Sequence, residues 1–150
     1  MRVFRELKTP FVLNQVCYNL LDRRVEADGL KDFARENGFG LIAYSPLAQG
    51  LLTERYVHGI PEDSRIKKSF TLKEETLTPA FFAKLAKLRD VAAARVQTLP
   101  ALDLSWVLKD EVVPSVIIGA SSSAQILENI KVNPVFSAEE LATIEEICKS

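Results

Sequence analysis

Three short apolar runs constrain this chain of 150 residues more than any other feature. Phe11-Val12-Leu13-Asn14-Gln15-Val16-Cys17-Tyr18 follows Pro10, Phe39-Gly40-Leu41-Ile42-Ala43-Tyr44 follows the turn signal Asn37-Gly38, and Ser115-Val116-Ile117-Ile118 stops at Gly119. The last two runs are nearly continuous rather than alternating, the pattern of strands buried on both faces in a parallel sheet. Helical patterns lie between and after them. Residues 29–36 place Leu30, Phe33 and Ala34 on one face. Thr78 reads as an N-cap with Pro79 behind it, and Phe81, Phe82, Leu85, Leu88 and Val91 follow at helical spacing. Thr98-Leu99-Pro100 opens another helix through Leu102, Trp106 and Val107 towards Asp110, and residues 123–130 form a short one. Ser137-Ala138-Glu139-Glu140 is a capping box ahead of the stripe Leu141, Ile144 and Ile147, and residues 3–8 read as the tail of one more helix. Strands alternating with helices predict an α/β fold of parallel βαβ units.

Three parallel strands form an incomplete object, because an open sheet leaves two edges that proteins normally pair or cover. A (β/α)8 barrel needs eight strands and typically ~250 residues. The pattern therefore predicts either part of a larger structure or a chain that assembles with something else. Residues 1–150 read as one unit, without internal repeat or low-complexity tract. The connection from Leu51 to Leu77 is the anomaly, since loops beyond ~12–15 residues are usually functional or disordered.

Composition excludes several classes of function. The balance of 19 Lys and Arg against 20 Asp and Glu gives a net charge of −1, with no basic footprint for nucleic acid or anionic lipid. No apolar run approaches the ~18–20 residues that span a bilayer, and the charged start MRVFRELKTP does not read as a signal peptide. Cys17 and Cys148 stand at opposite ends without metal-like spacing, and His58 alone makes no metal site. Two isolated thiols in a core-rich chain predict a reducing compartment and a cytoplasmic location.

In parallel α/β folds ligands gather at the carboxyl ends of strands. Here those ends read Tyr18-Asn19, then Tyr44-Ser45-Pro46-Leu47-Ala48-Gln49-Gly50, then Gly119-Ala120-Ser121-Ser122-Ser123-Ala124-Gln125. The last combines a glycine, small hydroxyl residues and the N–H groups of a helix start, which are the parts of an anion site. Arg55 and Arg65, in the long loop, carry forked donors suited to phosphate. A plain turn and helix cap explains the same serines equally well.

The segments NQVCYNLLDR, GLIAYSPLAQGLLTERYVHGIPEDSR, LDLSWVLKD and SVIIGASSSAQILENI together resemble the C-terminal half of an aldo/keto reductase. The similarity is greatest to the branch holding bacterial glyceraldehyde-3-phosphate reductases and potassium-channel β subunits, and it runs from about Phe4 to Ile147. The resemblance implies a partial (β/α)8 TIM barrel, a C-terminal half with three parallel strands and flanking helices. It also implies NADP(H) lying across the carboxyl face, and a small-molecule carbonyl substrate for the intact family.

By position, the resemblance assigns Gln15 to the nicotinamide carboxamide and Tyr44 to stacking on its ring. Ser45, Pro46 and Leu47, with the backbone towards Gly50, would line the pyrophosphate. Arg55 stands where the family usually has the lysine of a GKY sequence; Glu54 replaces that glycine, which puts the local loop geometry in doubt. Arg65 would face the adenosine phosphates, although an ion pair with neighbouring Glu62 and Asp63 is the plainer reading. Gly119, Ser121, Gln125, Glu128 and Asn129 match the positions that hold the 2′-phosphate and adenine, with Arg65 and Ser121 the residues that would favour NADP over NAD.

The family's proton donor is a Tyr tuned by Lys, Asp and His, all in the first half of the barrel, so none maps onto a residue here. Tyr18 falls at a structural or substrate-side position, and His58 in a solvated loop. Trp106 and Cys17 read as core, Cys148 as a residue near a frayed end, Lys67-Lys68 and Glu74-Glu75 as solvated charge, and Phe81-Phe82 as packing. The expectation is a half-barrel that carries most of a cofactor site and no catalytic tetrad. It would be completed by a missing N-terminal half or would self-associate. The rival expectation is a non-catalytic NADP(H)-binding or protein-interaction module.

Overall fold

The computed structural model describes residues 2–56, 60, 62, 65–68 and 74–149. Helix α1 (Arg2–Glu6) leads to strand β1 (Leu13–Cys17), then α2 (Arg24–Ala27) and α3 (Leu30–Asn37) lead to β2 (Gly40–Tyr44). The described elements between β2 and Pro79 are short 3₁₀ turns at Ala48–Gly50, Glu54–Tyr56 and Glu74–Thr76 and helix α4 (Arg65–Lys68). Helices α5 (Pro79–Ala94) and α6 (Leu99–Val107) precede β3 (Ser115–Ile117), and α7 (Ser123–Asn129) and α8 (Ala138–Lys149) close the order. The three strands are parallel in the order β1-β2-β3, as the alternating sequence pattern requires.

Local chemistry sets the helix starts. The Thr78 and Thr98 hydroxyls accept from the N–H groups of Phe81 and Ala101, each with a proline in the first turn. The capping box closes in both directions: the Ser137 N–H donates to Glu140 Oε2 at 2.7 Å and the Glu140 N–H donates to Ser137 Oγ at 3.2 Å. Helix α3 stops at Asn37 because Gly38 takes a left-handed φ of 70° and sends its N–H back to the Ala34 carbonyl. Helix α2 had no counterpart in the sequence reading. It is a single turn, too short for periodicity to reveal.

The register separates the two faces of the sheet. Leu13 pairs with Gly40, Gln15 with Ile42, and Cys17 with Tyr44, while Ile42 and Tyr44 pair with Ser115 and Ile117. These eight residues share one face. The opposite face carries Val16, Leu41, Ala43 and Val116 into a core with Tyr18, Leu85, Leu88, Leu102, Trp106, Val107 and Ile144. Helix α6 is buried from Leu99 to Val107 apart from its proline, including Asp103 and Ser105. Tyr56, Leu51 and Ile66 form a smaller cluster, with Phe81 and Phe82 packed against it.

One expectation is corrected here: the strands are not buried on both faces. Leu13, Tyr44 and Ile117 are exposed on the first face, and Cys17 there is only half-buried rather than core. The helices that contribute to the core cover the second face alone, so the apolar composition of the strands anticipates a cover that these residues do not supply. Trp106 is core, as expected. Tyr18 is structural, its hydroxyl donating to Glu26 and its ring 5.2 Å from that of Trp106. His58 lies outside the described residues.

Candidate functional site

The open face and the carboxyl ends of the strands meet at Gln15 and Tyr44. Gln15 is exposed on β1, and Tyr44, 42% exposed, ends β2 two positions beyond Gln15's partner Ile42. Both therefore project on the same side of the sheet. Among the described residues no aromatic ring pairs with that of Tyr44.

The chain leaves β2 through an unusual turn. Ser45 has a φ of 51°, and Ala48, Gln49 and Gly50 follow at 47°, 58° and 98°. Left-handed backbone is costly for residues with a Cβ and persists only where the surroundings hold it. Here the Ala48 N–H donates to the Ser45 carbonyl at 2.9 Å, and the Gly50 N–H to the Leu47 carbonyl at 2.8 Å. Pro46 is buried beneath the turn, and Leu47 is half-buried. Asn19 secures it from β1: its Nδ2 donates to the Ser45 carbonyl at 3.0 Å, while its Oδ1 accepts from the N–H groups of Leu21 and Asp22. Sequence reasoning placed Asn19 at a strand end and missed its role in holding the turn, although Asn-Leu-Leu-Asp after a strand is a recognisable Asx-turn signal.

Beyond the turn, Thr53 Oγ1 donates to the Gly50 carbonyl at 2.7 Å and accepts from the Arg55 N–H at 3.2 Å. Glu54 resolves the question its position raised: its carboxylate pairs with Arg89 of α5 at 3.0 Å and fastens the 3₁₀ turn that presents Arg55. Arg65 opens α4, and its side chain lies outside what is described. Glu62 pairs with Lys67 at 2.6 Å.

At the end of β3, a Cβ on Gly119 would meet nothing within 4 Å, so the backbone there borders open space. Ser122 caps α7 by accepting from the Gln125 N–H at 3.3 Å. Gln125 Oε1 accepts from both the N–H and the Oγ–H of Ser121, at 2.8 and 3.2 Å. A side-chain oxygen thus sits on the two donors an anion would use. Glu128 pairs with Lys131, and Asn129 is buried at 7% exposure. The structure therefore brings Gln15, Tyr44 and Ser45 through Gly50 to adjacent strand ends. Ser121 and Gln125 form a second group at the end of β3, and Asn129 is set back from the surface.

Among the described residues no group of three or more His, Cys, Asp or Glu side chains is placed to hold a metal, and no helix is long and apolar enough to cross a membrane.

Parallel strands feeding ligand-sized turns at their carboxyl ends, with helices on one face and the other face open, define part of a (β/α)8 barrel. The chain belongs to the aldo/keto reductase family, whose model matches residues 1–149. It is 44% identical over 152 aligned residues to the L-glyceraldehyde 3-phosphate reductase of Escherichia coli O157:H7, covering 97% of this chain and 44% of that one. It is also 37% identical over 124 residues to a Schizosaccharomyces pombe protein described as a voltage-gated potassium channel subunit beta, covering 80% of this chain and 36% of that protein. A thermostable aldo-keto reductase solved with the inhibitor epalrestat superposes with a TM-score of 0.65 at 26% identity, over 97% of this chain and 44% of the other. The glycerol dehydrogenase of Gluconobacter oxydans shares the fold, with a TM-score of 0.77 at 23% identity over 98% of this chain and 45% of that one. The chain thus spans a little under half the length of these relatives.

Proposed function

We propose that this chain is the cofactor-binding C-terminal part of an NADP-dependent aldo/keto reductase, and that it lacks the catalytic tetrad. The observation that carries the reading is the placement of Gln15 and Tyr44 on one exposed face, directly before the Ser45–Gly50 turn. When bound, the nicotinamide supplies hydride for the reversible reduction of an aldehyde or ketone. Gln15 orients it by hydrogen bonds from its carboxamide, and Tyr44 offers a ring face. Ser45, Pro46 and Leu47, with the left-handed backbone towards Gly50, would line the pyrophosphate, and Arg55 would add a cation. Ser121 offers a backbone and a hydroxyl donor to a 2′-phosphate once Gln125 swings away, and Arg65 would add charge.

Among the described residues none is placed as proton donor. Tyr18, the tempting phenol, is fully buried beneath the sheet, and burial followed by the Glu26 contact drives its pKa far above the usual range. Catalysis therefore needs the other five strands of the barrel. The test is to refold this chain with the unmatched N-terminal part of the E. coli L-glyceraldehyde 3-phosphate reductase and follow NADPH oxidation with small aldehydes. The mixture should turn over while neither part does so alone, and Tyr44→Ala should raise the KM for NADPH. A folded mixture that binds NADPH yet reduces no aldehyde would contradict the reading. We also place the protein in the cytoplasm, where its two free thiols stay reduced.

A second reading is a non-catalytic NADP(H)-binding or interaction module. It is favoured by the apolar residues at both sheet margins: Val12 and Leu13 beside β1, and Ile117, Ile126 and Leu127 beside β3. Such margins suit a complementing half or a second copy of the chain.

A further inference from the structure

The segment that follows α7 has no helix or strand of its own over residues 131–137, yet side chains from the α5–α6 elbow hold its backbone. Arg95 Nη2 donates to the Asn133 carbonyl at 2.8 Å and to the Val135 carbonyl at 2.9 Å, while Nη1 pairs with Glu140 at 2.6 Å. Gln97 Nε2 donates to the Lys131 carbonyl at 3.3 Å and to Ser105 Oγ at 2.9 Å. Ser105 Oγ also accepts from the Asn133 N–H at 2.9 Å and gives its own proton to the Ala101 carbonyl. The carbonyls of Lys131, Asn133 and Val135 belong to alternate residues, so the elbow receives one edge of this segment as a neighbouring strand would.

These side chains are committed to that task. The Arg95 side chain is 7% exposed, and its guanidinium carbon lies 3.9 Å from the centroid of the Phe136 ring. Arg95 Nε donates to Gln97 Oε1 at 3.0 Å, which joins the two holds into one clamp. Ser105 is fully buried, and its hydroxyl fills its donor and both acceptor positions. Between Arg95 and Gln97 stands Val96, exposed and with a left-handed φ of 55°. A β-branched residue is strained there and persists only where its surroundings hold it.

Helix α7 depends on this anchorage. Residues 121–127 are exposed, and Asn129 is the one buried residue of α7 among those described, two positions before the first clamped carbonyl. The helix is thus fixed at its carboxyl end, while the Ser121 donors and Gln125 stand at its amino end. A rise of about 1.5 Å per residue puts Ser121 roughly 12 Å from Asn129, so a tilt of about 5° at the anchor displaces it by about 1 Å.

We propose that Arg95, Gln97 and Ser105 are positioning residues for recognition of the cofactor's 2′-phosphate: they fix the pitch of α7 and so hold the Ser121 N–H and hydroxyl where that group is received. The inference rests on the cofactor site proposed above. The three residues act through α7 rather than by contact.

The test compares NADPH and NADH affinity, by fluorescence titration of the chain, in Gln97→Ala and Arg95→Met. Gln97 is half-buried and its truncation leaves Arg95 and Ser105 in place, so this variant carries the test if Arg95→Met fails to fold. The preference for NADPH should fall at least fivefold in Gln97→Ala while the Kd for NADH, which has no 2′-phosphate, changes less than twofold. In a Ser121→Ala background, Gln97→Ala should lower the preference no further, because the clamp works through Ser121. Hydrogen exchange gives a readout that needs no cofactor: α7 amides should exchange at least tenfold faster in Gln97→Ala, and those of α8 at the wild-type rate. Unchanged α7 exchange would overturn the clamp whatever the cofactors do. Its role in recognition fails if the preference is unchanged in Gln97→Ala, if NADH weakens as much as NADPH, or if the loss is as large without the Ser121 hydroxyl. A wild-type chain that binds neither cofactor would overturn the cofactor site itself, and the recognition role with it, while the exchange result still judges the anchorage.

Discussion

Asn19 Nδ2 donates to the Ser45 carbonyl across 3.0 Å and ties the carboxyl end of β1 to the left-handed turn that leaves β2. The same buried carboxamide holds the backbone of Leu21 and Asp22 through its oxygen. One side chain thus sets the relative position of the strand that bears Gln15 and the turn that follows Tyr44.

Asn19→Ala removes all three bonds: the Ser45 carbonyl keeps the Ala48 N–H, while the half-buried N–H groups of Leu21 and Asp22 lose their side-chain acceptor. The expected loss is about 2–4 kcal/mol, given the net worth of each bond and the cost of orphaned groups. A lowered midpoint in urea with an unchanged m-value checks this. Wild-type stability in the variant would show that the turn holds itself.

Asp103 is fully buried in α6, with Oδ1 accepting from the Leu20 N–H at 3.0 Å and Oδ2 without a partner. Burial raises its pKa well above the ordinary carboxylate value, despite the Leu20 bond and the charge of Lys109. The folded state therefore binds a proton that the unfolded chain releases near pH ~4. Its contribution to stability is fully present below that pH and is lost as pH rises towards the folded pKa. Asp103→Asn keeps the Leu20 bond and carries no charge, so it should raise the unfolding midpoint at pH 7 and lose that advantage below pH ~4. An equal effect at both pH values would contradict the titration argument.

Thr98 starts the most buried helix of the chain, with its hydroxyl accepting from the Ala101 N–H at 3.3 Å. Thr98→Ala should cost about 1 kcal/mol, and Thr98→Ser much less. Chemical denaturation of both variants decides whether the cap or mere packing of the threonine methyl matters.

The caps at Thr78, Thr98 and Ser137 and the three strands were legible in the sequence, because each rests on local chemistry or short-range periodicity. The open face was not. Near-continuous apolar strands announce two covers, and only the helix cover lies within these residues. Asp103 was passed over inside Ala-Leu-Asp-Leu-Ser-Trp-Val, where an acid within an apolar run was itself the signal. The contact between Gln125 and Ser121 is a product of folded geometry: their spacing shows a helix start, and only the side-chain direction shows which donors are covered.

The central claim, that this chain carries a cofactor site that prefers NADP, is tested most directly by thermal unfolding with saturating NADPH, with NADH, and without either. A ligand that binds only the folded form stabilises it by about 2.7 kcal/mol at a hundredfold excess over Kd. The account predicts a cooperative transition that moves up strongly with NADPH and less with NADH, with that difference shrinking in Ser121→Ala. A cooperative transition that neither cofactor moves would contradict it.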